Sequence, residues 1–264
     1  MPKFLPNQTS VVIVGGGVVG CSIAYHLVKL GISDVLLLER KQLSSGTTWH
    51  AAGLVGQLRA TQNLTQLAKY STDLYTKLEA ETGQATGFKQ NGSLSLAVNM
   101  ERLEELRRGA SMARVFGVAV EEIGPKDILA KYPLLNIDDV VGGVFLPKDG
   151  QINPSDLTQA LAKGARGGGA TILENTAVTD ILIKNEKVIG VSVGDETVKT
   201  EIVVNCTGMW GRSVGAMTQT PLPLHACEHF YVVTEPFDGV TPDLPVLRDQ
   251  DNYAYYKEDA GKIL

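Results

Sequence analysis

Apolar and polar positions in the first 40 residues follow two periods in turn. Val11–Val14 is a β-branched run that ends in glycine, which predicts a short buried strand. From Cys21 to Leu30 the apolar residues recur at helical spacing, Gly31 closes that helix, and Val35–Leu38 is a second apolar run. Strand, helix and strand in this order predict the β-α-β unit of doubly wound α/β folds.

The remaining pattern predicts further helices and strands. Apolar residues recur at helical spacing at 64–81, at 101–116, where Glu104 and Arg108 form a pair, and at 125–132. A fourth helix is predicted to begin after the capping residue Asn153 and to end at the glycines 167–169. The strand at 93–98 and the helices at 101–116 and 125–132 are interpreted as an insertion. Strands are predicted at 93–98, 170–173, 177–184, 187–193 and 200–206, with a tight turn at 185–186. Residues 218–264 alternate as an antiparallel sheet would.

Composition and charge exclude several classes of protein. With 264 residues, 44% of them hydrophobic, the chain can bury the core of one large or two interleaved domains. A net charge of -5 without a basic cluster argues against a nucleic-acid partner. Cys21, Cys206 and Cys227 are far apart, so we predict neither disulfides nor a metal site, and a reducing compartment.

The uncharged stretch Val11–Val28 approaches the length of a membrane span, but its four glycines and His26 point to another explanation. We therefore predict no membrane span. The first ten residues are too short and polar for a targeting peptide.

The sequence VVIVGGGVVG contains G-x-G-x-x-G as Gly15, Gly17 and Gly20, after a strand and at the start of a helix. These glycines permit a tight turn, close approach of a pyrophosphate, and packing of the helix on the strand. Glu39 ends the second strand, where an acid can accept hydrogen bonds from ribose hydroxyls. An acid here disfavours a 2′-phosphate, so the ligand is NAD or FAD.

The second candidate site is GTTWHAAG, residues 46–53. Its small residues leave room for a flat ring near the backbone. His50 could meet the edge of such a ring, or Trp49 and His50 could be a partly buried pair with no role in chemistry. The window alone leaves both interpretations open.

The string GTTWHAAG, following the glycine motif and the LLLER strand, resembles the flavin-attachment segment of the dimethylglycine and sarcosine dehydrogenase family of D-amino-acid-oxidase-like flavoproteins. ETGQATGFKQNGSL, KYPLLNIDD, DGQINPSDLT, VVNCTGMWGRSVG, EHFYVVTE and LPVLRDQDNYAYY extend the resemblance along nearly the whole chain. The resemblance implies FAD bonded covalently to His50, which would retain the cofactor and make it more oxidising.

The same resemblance implies a set of FAD contacts in the glycine loop, the second strand end, the GTTWHAAG segment and a later strand end. They are Gly15, Gly17, Val18, Val19, Gly20, Glu39, Arg40, Ser45, Gly46, Thr47, Thr48, Trp49, His50, Ala51, Gly53, Val178, Cys206, Thr207, Gly208 and Trp210.

The fold implied is α/β: a Rossmann-like FAD-binding domain of the glutathione-reductase or D-amino-acid-oxidase type, with an interleaved antiparallel-sheet substrate domain. We predict that residues 1–90 and 142–217 form the first domain, and that 91–141 and 218–264 form the second.

The implied reaction is oxidative demethylation of sarcosine or dimethylglycine by hydride transfer to the flavin, with an electron-transfer flavoprotein or oxygen as acceptor. His229 and Tyr255 match the family's active-site histidine and tyrosine. His225 is a weaker candidate, Tyr253 and Tyr256 compete with Tyr255, and Arg248 could hold the substrate carboxylate.

The chain is shorter than the family module and lacks its folate-binding domain, so we expect a fragment, with tetrahydrofolate needed only where that domain is present. Without it an iminium product would hydrolyse to formaldehyde. Two other functions stay open: oxidation of another small amino or hydroxy acid, and a catalytically silent regulatory role, although regulatory relatives usually lose the Trp-His pair. The expected location is the cytoplasm of a bacterium or the mitochondrial matrix.

Overall fold

The computed structural model describes residues 4–264, so residues 1–3 of the predicted first domain lie outside it. The chain forms two compact units. Unit 1 contains the described residues 4–51, together with Leu78–Thr86 and Asn153–Glu228. Unit 2 contains Ala52–Lys77, Gly87–Ile152 and His229–Leu264.

The strands are β1 (Val11–Val14), β2 (Val35–Leu38), β3 (Leu54–Val55), β4 (Ser93–Ala97), β5 (Glu121–Ile123), β6 (Gly142–Leu146), β7 (Gly150–Gln151), β8 (Thr171–Leu173), β9 (Asp180–Lys184), β10 (Lys187–Val193), β11 (Glu196–Lys199), β12 (Ile202–Asn205), β13 (Val246–Asp249), β14 (Ala254–Tyr256), β15 (Glu258–Asp259) and β16 (Lys262–Ile263). The helices are α1 (Val18–Lys29), α2 (Gln62–Thr82), α3 (Met100–Val115), α4 (Pro125–Lys131), α5 (Pro154–Gly167) and α6 (Gly211–Met217). Two single 3-10 turns span Thr48–His50 and Gly208–Trp210.

Unit 1 is built on a parallel sheet with strand order β12-β1-β2-β8. All four residues of β1 and of β2 are buried, as their continuous apolar runs predict for parallel strands covered on both faces. A second, antiparallel sheet has the order β11-β10-β9, and Asn185 and Glu186 form its turn with positive φ angles of 51° and 61°. The predicted β-α-β unit and the predicted turn are both confirmed.

Unit 2 is built on a five-stranded sheet with the order β14-β13-β4-β6-β5. All its pairs are antiparallel except β13 with β4, which run parallel. Leu94 and Leu96 pack with Ile128 of α4, whereas Val144 and Leu146, which face the other way, pack with the alanines of α3. The sheet therefore has a separate apolar cluster on each face.

Several elements differ from the prediction. β6 was not predicted because its two leading glycines have low strand propensity, and pairing with β4 and β5 overrides it. Residues 218–245 contain neither helix nor strand, although they alternate in sequence. Phe230 and Val232 in this segment are exposed, so the alternation covers no surface and gains nothing from pairing.

The compact units also differ in extent from the predicted domains. Stretches 52–77, 87–90 and 142–152, predicted as part of the FAD-binding domain, belong to unit 2, and 218–228, predicted as part of the substrate domain, belongs to unit 1. That these boundaries separate a FAD-binding domain from a substrate domain stays a prediction. No helix among residues 4–264 is long and apolar enough to cross a membrane.

Candidate functional site

The glycine loop of unit 1 is a turn that only glycine can form. Gly15 has a φ of +111°, and a Cβ added there would lie 2.5 Å from the carbonyl oxygen of Cys206. A Cβ added at Gly20 would overlap the carbonyl oxygen of Gly15. Helix α1 then begins after Gly17, which has no side chain to cap it, and the first turn of the helix contains no acidic residue. The helix therefore carries no negative side chain of its own at its positive end, which favours a phosphate there.

Glu39 lies at the end of β2, next to this loop. Its Oε2 accepts a hydrogen bond of 2.7 Å from the N–H of Gly16, and its Oε1 accepts one of 2.8 Å from the N–H of Lys41. The carboxylate is thereby fixed beside the glycine loop, in the position that the sequence predicts for a ribose-binding acid.

The GTTWHAAG segment is attached to the start of α1 through Thr48. The hydroxyl of Thr48 accepts a hydrogen bond of 3.1 Å from the N–H of Val18, the first residue of the helix. Thr48 begins the 3-10 turn that ends at His50, and the rings of Trp49 and His50 are in contact, with centroids 3.7 Å apart and planes tilted by 34°. Both rings are solvent-accessible, with 54% of Trp49 exposed, so the partly buried pair is not what the structure shows.

The strand end at 206–210 meets the same region. Because β12 pairs in parallel with β1, its end lies beside the glycine loop, and the N–H of Cys206 donates to the carbonyl of Val14 at 2.8 Å. The indole of Trp210 lies under the guanidinium of Arg40 at 4.2 Å, and a Cβ added at Gly46 would lie 3.3 Å from the same ring. Four segments predicted separately are thus brought together.

Other residues in the predicted set are placed differently. The side chain of Val178 packs against the apolar cluster of unit 1. Val19, Ser45 and Ala51 are exposed, and Gly53 belongs to unit 2. Thr47 lies near Gly208, since a Cβ there would be 3.7 Å from its hydroxyl.

The predicted substrate residues lie in unit 2. His229 is exposed on the segment without helix or strand, whereas Tyr255 is on β14 directly opposite Arg248 of β13. Residues opposite each other in an antiparallel pair present their side chains to the same face. Among residues 4–264 no hydrogen bond joins His229 to Tyr255, so the structure brings Tyr255 together with Arg248 and not with the histidine.

The profile of the FAD-dependent oxidoreductase (DAO) family matches residues 10–264. The chain belongs to this family. Three similar proteins are the mitochondrial pyruvate dehydrogenase phosphatase regulatory subunit of Mus musculus (41% identity over 98% of this chain), 4-methylaminobutanoate oxidase (formaldehyde-forming) of Paenarthrobacter nicotinovorans (42% over 98%) and mitochondrial sarcosine dehydrogenase of Homo sapiens (40% over 96%). This chain covers 30%, 32% and 28% of their lengths, so it spans about a third of the curated relatives it matches.

A solved structure, that of L-proline dehydrogenase from P. horikoshii, shares the fold. It superposes with a TM-score of 0.87 at 30% identity, covering 98% of this chain and 69% of the other. The predicted fold class is confirmed. The residues of unit 1 fit the cofactor that gives the FAD-dependent family its name, because the start of α1, the glycine turn and Glu39 lie together.

In this member of the FAD-dependent oxidoreductase family, burial favours the neutral form of two thiols, Cys21 and Cys206. Burial raises the pKa of Cys21 to about 12, and it raises the pKa of Cys206 to about 11. A neutral thiol is a poor nucleophile and a poor metal ligand. Within residues 4–264, no group of three or more His, Cys, Asp or Glu side chains could hold a metal ion.

Sequence reasoning missed one group of charged residues in unit 2. Arg59 follows β3, Asp149 precedes β7, and both lie beside Arg248 of β13. Nothing in the local pattern connects them, because they are up to 189 positions apart (248 minus 59) and meet only through strand pairing. Of the three residues, only Arg248 could be singled out from the sequence, as a candidate for binding the substrate carboxylate.

Proposed function

We propose that unit 1 binds FAD and that His50 bonds to it covalently. The observation that carries this proposal is the hydrogen bond from the N–H of Val18 to the hydroxyl of Thr48, at 3.1 Å. Because Thr48 is two residues before His50, this contact holds the histidine next to the helix end that would receive the pyrophosphate. Bound FAD would supply the two-electron acceptor for the reaction.

We further propose that the substrate is an N-methylated amino acid, sarcosine or dimethylglycine. The similarity to sarcosine dehydrogenase and to 4-methylaminobutanoate oxidase supports this class. The amine must lose its ammonium proton before oxidation, because a protonated nitrogen has no lone pair to stabilise the developing iminium. In this proposal His229 and Tyr255 set the protonation and the orientation of the amine.

The attachment of flavin is tested on a denaturing gel. Purified protein that has been supplied with FAD is acid-washed and its band is viewed for flavin fluorescence. We expect a fluorescent band for the unaltered chain and for the control His225→Ala, and a dark band for His50→Ala. A dark band for the unaltered chain would overturn covalent attachment.

The substrate is tested by dye reduction and by formaldehyde release. Sarcosine, dimethylglycine, 4-methylaminobutanoate and D-alanine are compared side by side at equal concentration. We expect the three N-methyl compounds to reduce the dye and to release one formaldehyde for each two-electron reduction. Dye reduction by D-alanine alone would contradict the proposed substrate class.

The electron acceptor is proposed to be an electron-transfer flavoprotein or oxygen. Hydrogen peroxide formed in step with formaldehyde would identify oxygen, and turnover with dye but without peroxide would identify a carrier. The proposed compartment is a bacterial cytoplasm or the mitochondrial matrix, where the three free cysteines would stay reduced.

A second function is favoured by one observation, the 41% identity to a phosphatase regulatory subunit. In this alternative the chain would regulate a partner without turning over an amine. The presence of both Trp49 and His50 supports the catalytic function instead. Bound FAD with no dye reduction by any of the four compounds would favour the regulatory alternative.

A further inference from the structure

The β13–β14 hairpin, residues 246–256, carries Tyr255 and both tyrosines that compete with it for the predicted active-site role, Tyr253 and Tyr256. β14 is the edge strand of the five-stranded sheet and is joined to β13 by three residue pairs. Tyr253, at the end of the turn, is 97% exposed and has a φ of +53°, a conformation that is unfavourable for a tyrosine. Packing therefore contributes little at the tip of the hairpin, and the position of Tyr255 depends on other contacts.

The turn of this hairpin, residues 250–253, is stabilised from within. The carboxylate of Asp249 accepts hydrogen bonds from the backbone N–H of Asn252 at 3.2 Å and from its side-chain amide at 2.8 Å. The N–H of Tyr253 donates to the carbonyl of Gln250 at 3.4 Å. A turn with hydrogen bonds of its own keeps its shape, so a contact at one of its residues acts on the hairpin as a whole.

Arg102 of α3 makes such a contact, to Asp251 in the turn. Its Nε donates to Oδ1 of Asp251 at 3.0 Å, and its Nη2 lies 3.0 Å from the same oxygen. Asn99, the N-cap residue of α3, donates from its side-chain amide to the other carboxylate oxygen at 3.5 Å. The two side chains of the ion pair are each 22% exposed, so solvent screens it less than a pair on the open surface. The beginning of α3 thus holds the turn of the hairpin through Asp251.

Neighbouring groups fix Arg102 in the orientation that this contact needs. Its Nη1 donates to the carboxylate of Glu105, one turn further along α3, and to the side-chain oxygen of Gln250 at 3.4 Å. Its backbone N–H donates to Oδ1 of Asn99 at 2.7 Å. A guanidinium that is already oriented loses less conformational entropy for each hydrogen bond it forms. The pair with Asp251 is therefore preorganised, unlike an exposed pair of two mobile side chains.

The hairpin and Arg102 together form most of the wall of a cavity of about 550 Å³ in unit 2. Six of its eight lining residues, 248–250 and 253–255, belong to the hairpin, and a seventh is Arg102. The volume is within the range of small-molecule sites. Movement of the hairpin would therefore change the shape of this cavity and the place of Tyr255 in its wall.

We propose that Arg102 and Asp251 are positioning residues, whose ion pair fixes the β13–β14 hairpin and thereby places Tyr255 for the amine of the substrate. The role of Tyr255 rests on the proposed function, whereas the ion pair rests on the geometry of unit 2. Without the pair, a short edge strand alone holds the hairpin, and Tyr255 samples several positions. Since a displacement of about 1 Å can lower a rate by about a hundredfold, the pair controls kcat through Tyr255.

The test combines fluorine NMR with steady-state kinetics on the full chain supplied with FAD. A meta-fluorotyrosine in place of Tyr255 reports the surroundings of that ring whether or not the protein turns over. We expect one narrow resonance in the unaltered chain and a shifted or broadened one in Asp251→Asn and in Arg102→Gln. The same substitutions without the fluorine label should lower kcat for dimethylglycine by about tenfold or more. Arg102→Lys should recover part of this loss, because it keeps the charge but not the planar set of donors.

A double variant and a control make the test specific. Arg102→Gln combined with Asp251→Asn should lose no more activity than either single substitution, because both remove the same interaction. Arg108→Gln is the control: Arg108 lies on the same helix and pairs with Glu104, but its side chain is 76% exposed and does not line the cavity. Circular dichroism and the melting temperature check that each variant is folded.

An unchanged fluorine resonance in both Asp251→Asn and Arg102→Gln would overturn the proposal, and so would an equal change in Arg108→Gln. A displaced Tyr255 with unchanged kcat would also overturn it, because the position of the ring would then not matter to the reaction. Failure of the proposed function is distinguishable from these results. If the unaltered chain turns over none of the N-methyl compounds, the proposed function fails, and the fluorine spectra alone decide whether the ion pair fixes Tyr255.

Discussion

At Gly20 the backbone leaves no room for a side chain. A Cβ there would overlap the carbonyl oxygen of Gly15, and a backbone atom in a tight turn cannot move aside at low cost. We predict that Gly20→Ala lowers the free energy of unfolding by about 1–3 kcal/mol or more and reduces FAD binding. Urea denaturation and titration with FAD measure the two effects.

The matched control for Gly20 is Gly167→Ala at the end of α5, where an added Cβ meets nothing within 4 Å. It should leave FAD binding unchanged and raise stability by up to about 1 kcal/mol, because alanine is the better helix former. If the two substitutions had the same effect, the glycine turn would not depend on close packing.

Asp149 makes stability depend on pH in the direction opposite to that of a paired carboxylate. Burial raises the pKa of Asp149, and hydrogen bonds from Ser93 and Gln57 together with Arg248 oppose this shift. At pH values between the pKa of Asp149 in the unfolded chain and its higher pKa in the folded protein, the folded protein binds more protons than the unfolded chain. The contribution of Asp149 to the free energy of unfolding is therefore fully present at low pH and is lost as the pH rises. We predict that the melting temperature of Asp149→Asn, relative to the unaltered chain, increases as the pH is raised from about 4 to about 7.

The exposed Asp138 provides the comparison for this pH effect. Because the Asp138 carboxylate is exposed, the pH-dependent change that burial causes at Asp149 should be absent from the shift in melting temperature of Asp138→Asn. A difference between Asp149→Asn and the unaltered chain that stays constant with pH would show that burial does not disfavour the ionised form.

At the scale of elements, α5 is the helix whose beginning is most clearly encoded in sequence. The side-chain oxygen of Asn153 accepts hydrogen bonds from the N–H groups of Ser155 at 3.0 Å and Asp156 at 3.1 Å, and Pro154 occupies the first helical position. We predict that Asn153→Ala lowers the free energy of unfolding by about 1 kcal/mol, and Asn153→Gly by only a few tenths. Chemical denaturation measures both, and equal losses would contradict a capping role for the side chain.

The elements that sequence predicts well are those with local signals. β1, α1 and β2 follow from the apolar runs and glycines, and the α5 cap follows from Asn153 and Pro154. β6 was missed because its partners β4 and β5 lie elsewhere in the sequence, and residues 218–245 were predicted as sheet although they form no strand. Local pattern cannot tell a strand from an alternating segment that stays unpaired.

The same distinction applies to the candidate site. The glycine loop and Glu39 could be predicted because they are consecutive parts of one β-α-β unit. That Trp210 would lie under Arg40 depends on the pairing of β12 with β1, whose paired residues are 191 positions apart in sequence (202 minus 11). Arg59, Asp149 and Arg248 depend likewise on the assembly of unit 2.

At the scale of the whole chain, fold and substrate are set by different residues. The parallel sheet and glycine loop of unit 1 carry the features of the FAD-dependent oxidoreductase family, whose match covers residues 10–264. Relatives with this fold are named for different substrates, so the fold does not determine which amine is oxidised. In our proposed function that choice depends on unit 2, which contains His229 and Tyr255.

The segment that follows unit 1 gives the chain a surface property of its own. Between residues 229 and 237 the large apolar side chains of Phe230, Tyr231, Val232, Val233 and Phe237 are all exposed, with 88% of Phe230 and 79% of Val232 accessible. Four consecutive exposed apolar side chains, at 230–233, favour association in water, so we predict that the chain self-associates as its concentration rises.

Sedimentation velocity measures this association for the unaltered chain and for the double substitution Phe230→Ser with Val232→Ser. We expect the double substitution to shift the distribution toward monomer, because it removes apolar area that association would bury. Val115→Ser is the control, since Val115 is 81% exposed but stands at the end of α3, outside the segment. Single exposed apolar residues are common on protein surfaces and do not by themselves cause association. An equal shift with Val115→Ser, or none with the double substitution, would mean that this segment does not drive association.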